Sequence, residues 1–143
     1  MTTATWILET TRAECDSLLA QTSLGRLGVV VDGRPEIFPV NHVFDSETGR
    51  VAFPTNARTK LHAALHWPYV AYEVDAMDPP DASGWSVLVV GRAEEITDED
   101  DIARLTAERD SVWRTDDRVH WIGIVPEKVT GRRIFGPRSA VTS

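Results

Sequence analysis

The sequence predicts a small, mainly β domain: six antiparallel strands rolled into a barrel, with two or three helices at its ends. Three observations carry that expectation. Six runs are apolar or alternate between apolar and polar residues, the pattern of strands. Turn residues separate most of them, Asp32-Gly33 foremost, a pair that suits a tight hairpin because it tolerates positive φ. Helical spacing occurs in only a few stretches, so most strands are joined by hairpins.

The bulk properties agree with one domain. A chain of 143 residues can bury one substantial core without metals or disulfides. With 42% hydrophobic and 26% charged residues it has an ordinary globular composition. The net charge of −7 argues against general affinity for nucleic acid or anionic membranes. Cys15 is the only cysteine, so an intrachain disulfide is excluded and a reducing cytoplasm is expected. No signal peptide and no apolar run of about 18 residues is recognisable.

In chain order, residues 12–21 form a short amphipathic helix with Cys15, Leu18 and Leu19 on its apolar face. Residues 24–31 are a strand, Asp32-Gly33 the turn, and residues 34–44 the return strand. Pro39 cannot donate to a ladder, which places that strand at an edge or bulges it there. Residues 45–49 turn into a third strand beginning at Val51. Trp67-Pro68 ends the following helix. Residues 69–75 and 84–96 are the fourth and fifth strands, with a loop from Met77 to Ser83. A helix from Thr97 to about Asp110 carries Asp98, Glu99, Asp100 and Asp101 at its positive end, on a solvated face. Residues 111–118 form a loop, residues 119–125 are the sixth strand, Pro126-Glu127-Lys128 is a turn, and Val129 to Phe135 is a last extended piece.

The stretch from Val51 to Leu65 carries the strongest chemical signal. A strand breaks at Pro54-Thr55-Asn56 and restarts as a helix that Asn56 or Thr59 can cap. Arg58 and Lys60 stand in or beside its first turn, where the helix dipole already disfavours cations. An anion in front of the helix resolves the conflict: free N–H groups, Thr hydroxyls and two cations make a phosphate site. The plain alternative is a solvated helix start with long side chains in water.

Other candidates are weaker. His62 and His66 are four apart but have no accompanying metal-ligand pattern, so two surface histidines are expected. Ser86 lacks a GxSxG context, and there is neither GxGxxG nor a P-loop. Trp85 can flank a planar ligand or fill the barrel end. Asn41 and His42 follow the Pro39 irregularity and either face a pocket mouth or are ordinary strand polarity. Arg132, Arg133 and Arg138 are a basic cluster in an acidic chain, suited to phosphate oxygens or simply to solubility.

The ordered motifs Leu24-Gly25-Arg26-Leu27-Gly28, Asp32-Gly33-Arg34-Pro35, Pro39-Val40-Asn41, Thr59-Lys60-Leu61, Tyr72-Glu73-Val74-Asp75, Gly84-Trp85-Ser86-Val87, Gly91-Arg92-Ala93-Glu94-Glu95 and Val125 to Arg133 carry a resemblance. Over about residues 10–135 the chain resembles the pyridoxamine 5′-phosphate oxidase-like FMN-binding split-barrel proteins. Within them it is nearest the small actinobacterial-type branch beside the nitroimidazole-resistance proteins. The resemblance implies a single six-stranded split-barrel domain over residues 1–143 and a homodimer holding FMN at the subunit interface. By the same resemblance Lys60 binds the FMN phosphate, with Thr55 and Thr59. Val40, Asn41 and His42 line the isoalloxazine ring, largely through backbone groups, Phe53 and Pro54 continue that wall, and Trp85 and Ser86 close the other side. Arg132 reaches in from the second subunit. His42 is the candidate for a histidine that is prominent beside the flavin in the nitroimidazole-resistance branch.

True pyridoxamine phosphate oxidases carry a basic C-terminal segment that binds the substrate phosphate; this chain shows none, so vitamin B6 oxidation is not expected. The expected function is an FMN-dependent oxidoreductase that passes hydride or electrons between a reduced nicotinamide and a small acceptor. The alternatives are a deazaflavin-dependent reductase, with Arg58, Arg132 and Arg133 serving the longer anionic tail, and a non-enzymatic flavin or haem carrier or sensor. No side chain is assigned as a catalytic acid or base.

Overall fold

The computed structural model describes residues 6–56, 65–78, 82–109 and 119–136. Its elements are β1 (Trp6–Glu9), α1 (Arg12–Gln21), β2 (Leu24–Val31), β3 (Arg34–Asn41), β4 (Val43–Asp45), β5 (Arg50–Asn56), β6 (Tyr69–Asp78), β7 (Ser83–Ile96), α2 (Glu99–Glu108) and β8 (Val119–Phe135). The six expected strands are present as β2, β3, β5, β6, β7 and β8. Two more join them among the described residues. β1 pairs with the far end of β8, and β4 is cut from the expected return strand at His42.

All pairings are antiparallel, in the order β3-β2-β6-β7-β8-β5-β4. The sheet does not close: β3 and β4 are its two edges, yet His42 alone separates them in sequence. Two residue steps span at most about 7 Å. The edges therefore meet beside His42, and the sheet is a barrel split along a seam at that residue. Pro39 sits in register opposite Arg26 on edge strand β3, so it is the edge position and not a bulge that accommodates it.

The turns follow local chemistry. Asp32 and Gly33 have φ of 51° and 76°, the double positive φ of the primed hairpin turn. Thr11 caps α1 by accepting from the Glu14 N–H at 3.2 Å, and Cys15 and Leu19 are buried beneath the helix as expected. Asp98 caps α2 by accepting from the N–H groups of Asp100 and Asp101. The acidic run is not merely solvated, because Asp101 also pairs with Arg50 at 3.1 Å and Arg104 at 2.9 Å.

Pro126-Glu127-Lys128 is no turn. β8 runs through it, and the register shift beside Val90 and Gly91 leaves Glu127 as an extra residue. A bulge tolerates the proline and bends both strands. Gly91 is required there, since a Cβ would lie 2.1 Å from the Val125 carbonyl oxygen. The Met77 to Ser83 loop is also shorter than expected, because Met77 pairs with Gly84 and Asp78 with Ser83. The main core lies inside the curled sheet and includes Leu27, Phe53, Tyr72, Val87 and Ile124. A smaller one joins Ala52, Ile96, Leu105 and Trp121 under α2.

Candidate functional site

The seam opens into a cleft of about 470 Å³. Gln21, Thr22 and Ser23 line it from the end of α1, Asn41 to Phe44 from the seam, Pro54 from β5, and Glu108 and Arg109 from the end of α2. Its wall is therefore mostly hydroxyl, amide and charged groups around one proline and one phenylalanine. Burial pushes the Arg109 pKa down from its usual value, yet a guanidinium stays cationic throughout the physiological range.

His42 lines this cleft, but the residue is buried, only 4% exposed. Its Nε2 lies 2.9 Å from the Leu19 carbonyl and its Nδ1 2.5 Å from the Tyr72 hydroxyl. A carbonyl can only accept, so Nε2 carries the proton. Burial lowers the His42 pKa, outweighing the opposing hydrogen bond to Leu19, and the neutral ring is favoured. Val40 and Phe53 point inward to the core, Thr55 is buried, and Asn41 is exposed. From the seam strands, then, backbone groups, Asn41, Val43, Phe44 and Pro54 are what a ligand can meet.

A second group of residues lies on the outer face of the sheet. Ser86 stands between Asp75 on β6 and Arg132 on β8, and directly opposed residues share a face. One row further, Glu73, Leu88 and Thr130 face the same way. Arg26 from β2 reaches both acids, its Nη1 3.2 Å from Glu73 and 3.2 Å from Asp75. Burial first, then the Asp75 carboxylate, push the Glu73 pKa up to about 7 against the pull of Arg26. Trp85 sits next to Ser86 and so points the other way. It packs on the core and lines a smaller cavity of about 260 Å³ with Met77, Arg133 and Phe135.

Thr59 and Lys60, with Arg58 and His62, lie outside the described residues, as does Arg138. Of the other sequence candidates, Thr55 and the Ser86–Arg132 pair lie at opposite ends of β8. Thr55 pairs with His120 at the start of β8 and Ser86 with Arg132 near its end. Those positions are twelve residues apart, about 40 Å of extended chain.

Sequence reasoning passed over Tyr72, Glu108, Arg109 and the Glu73–Asp75 pair. Strand alternation marks Tyr72 as inward-facing, but nothing in the sequence shows what its hydroxyl touches. The two carboxylates at positions 73 and 75 share a strand face by simple period-2 counting, the one signal that was available.

Residues 11–133 match the family described as pyridoxamine 5′-phosphate oxidase. An uncharacterised Mycobacterium tuberculosis protein, Rv0080, is 35% identical over 133 residues, which is 90% of this chain and 86% of that protein. The structure of an FAD binding protein from Mycobacterium smegmatis is 34% identical with a TM-score of 0.75, covering 88% of this chain and 98% of that one. An FAD-binding protein from Mesorhizobium loti shares the fold at 22% identity and a TM-score of 0.73, covering 89% of this chain and 97% of that one. On the length of the family match and the two close relatives, this chain belongs to the pyridoxamine 5′-phosphate oxidase family, in an open split-barrel form.

Proposed function

We propose that this protein is a homodimeric flavin-dependent oxidoreductase that binds FMN between subunits. The observation that carries the reading is the 34% likeness, over nearly the whole of both chains, to a protein described as FAD binding. The donor set suits a flavin. The seam offers backbone groups, Asn41 and hydroxyls beside a proline wall, and the outer face offers Ser86 and Arg132. Planar heterocycles with several carbonyl and nitrogen acceptors are held by groups of this kind. When bound, a flavin accepts and gives up electrons or hydride.

In this reading Lys60, Thr55 and Thr59 hold the phosphate arm of one flavin. Val40, Asn41, His42, Phe53 and Pro54 shape the wall beside its ring, Val40, His42 and Phe53 through their backbone. Ser86 and Arg132 come from the partner copy, since they lie most of the length of β8 from Thr55 in their own subunit, while Trp85 supports them from the opposite face of the sheet. The cleft at the seam is open enough to admit a small acceptor beside the ring, with Arg109 and Glu108 at its rim.

The outer face favours pairing with a second copy. Ile37, Tyr69, Val30 and Leu88 are 71%, 61%, 39% and 38% exposed on it, and the register puts all four on one side of the sheet. Among them stand an acidic column, Glu73 and Asp75, and a basic one, Lys128 and Arg132. A two-fold axis through such a face lets each acidic column meet the basic column of the other copy.

The test is titration of purified protein with FMN, FAD and a deazaflavin cofactor, followed by NAD(P)H oxidation with an electron acceptor. Tight FMN binding with turnover supports the reading. Preference for the deazaflavin replaces the cofactor, and tight binding without turnover makes the protein a carrier or sensor. Haem uptake in place of any flavin overturns it.

A further inference from the structure

We propose that Tyr72 is a positioning residue: its buried hydroxyl fixes the His42 ring, and through it the backbone of the seam that the flavin ring lies against. The inference rests on the flavin reading above. His42 is the single link between the two sheet edges, so the direction of its backbone decides what the seam presents. Its main-chain N–H donates to the Ser23 carbonyl at 2.7 Å, and its ring is held at both nitrogens. With Nε2 donating to Leu19, Nδ1 of the neutral ring is bare and takes the Tyr72 hydroxyl proton. The same hydroxyl lies 3.1 Å from the Val40 carbonyl, which is the alternative acceptor for its one proton. One oxygen on β6 thus touches the residues on either side of Asn41.

The surrounding sequence is shaped for that hydroxyl. A Cβ at Gly25 would lie 2.3 Å from the Tyr72 oxygen and 2.8 Å from the Glu73 carbonyl, so β2 leaves a slot that only glycine provides. Tyr72 is completely buried. A phenylalanine would fill nearly the same volume, and what distinguishes tyrosine here is the proton it gives to Nδ1 of His42. Removing the hydroxyl leaves Nδ1 buried without a donor, a loss that the seam backbone can relieve only by moving.

Tyr72→Phe tests this beside Ile124→Val, a conservative deletion in the same core away from the seam. Both variants and the unmutated protein are titrated with FMN and with FAD, recording affinity, the absorption spectrum of the bound flavin and the melting temperature. Tyr72→Phe is expected to bind about tenfold more weakly and to shift the bound-flavin band, as the loss of a buried hydrogen bond implies. Ile124→Val is expected to lose comparable thermal stability with affinity and spectrum unchanged. Wild-type affinity and spectrum in Tyr72→Phe overturn the inference, as does an equal loss of affinity in Ile124→Val. Failure of the unmutated protein to bind either flavin is a different result: it removes the flavin reading itself, and the inference falls with it.

Discussion

Ser86 on β7 and Arg132 on β8 stand directly opposite each other and leave the sheet on its outer face. Arg132 is exposed there, on the face where the acidic Glu73 and Asp75 and the apolar Ile37 and Leu88 also emerge. In one subunit this pair is far from Thr55 along β8, and in the proposed site it comes from the partner copy.

Arg132→Ala is expected to weaken flavin binding about tenfold, the scale of one charge-assisted hydrogen bond. Mixing Arg132→Ala subunits with Lys60→Ala subunits is then informative. A site formed by Lys60 of one copy and Arg132 of the other is restored in the mixed dimer, once per dimer. Flavin titration of an equal mixture after subunit exchange should recover tight binding at about a quarter of all sites, one in each mixed dimer. No recovery would place both residues in the same subunit's site.

Lys60→Ala alone is expected to cost about 1.5–3 kcal/mol of flavin affinity, the range for a hydrogen bond to a charged group. Comparison with riboflavin, which lacks the phosphate, checks the assignment. The variant and the unmutated protein should bind riboflavin equally. Unchanged FMN affinity in Lys60→Ala would put the phosphate elsewhere.

Arg104 of α2 lies 2.8 Å from Asp45, whose side chain is 2% exposed. Burial alone would raise the Asp45 pKa, but hydrogen bonds from Arg104 and Thr48, the Arg104 charge and the Glu47 N–H hold it below the usual carboxylate value. A depressed carboxyl stabilises the fold above its unfolded pKa of about 4, and that contribution is lost as pH falls through the folded value. Asp45→Asn should therefore melt several degrees lower at neutral pH, with the gap closing in acid below about pH 4. A gap independent of pH, measured by thermal melts in stepped buffers, would contradict this.

Glu73 has the opposite sign. Its pKa is raised to about 7, so the folded protein holds that proton more tightly than the unfolded chain does. The resulting stability is fully present below about pH 4.3 and is lost as pH rises toward 7. Solvent damps the effect, since the side chain is 35% exposed. Glu73→Gln should flatten this part of the melting-temperature profile. Parallel profiles for the two proteins would show that Glu73 ionises normally.

The fold was largely legible because its signals are local. Asp32-Gly33 names its own turn, Gly91 and Pro126 mark the same bend from two strands, and alternation on β6 and β7 separates inward from outward residues. Pro126 misled as a turn because a bulge and a turn share the same local residues, and only the partner strand tells them apart. β1 was missed since Trp6-Ile7-Leu8 is a short apolar run without alternation. The site was less legible. Asn41, Pro54, Ser86 and Arg132 were chosen by their place in a family pattern, and the register shows which of them share a face. His42 was chosen as a ligand-facing histidine, yet its ring is spent on Leu19 and Tyr72 in the core. No spacing rule connects residue 42 with residue 72; only the curl of the sheet brings them together.

The most direct measurement is the absorption spectrum and mass of what the purified protein binds, taken first as isolated and then after mixing with FMN and FAD. The account predicts a yellow complex with one flavin per subunit, two per dimer. A colourless protein that gains no flavin absorbance with either compound would contradict it.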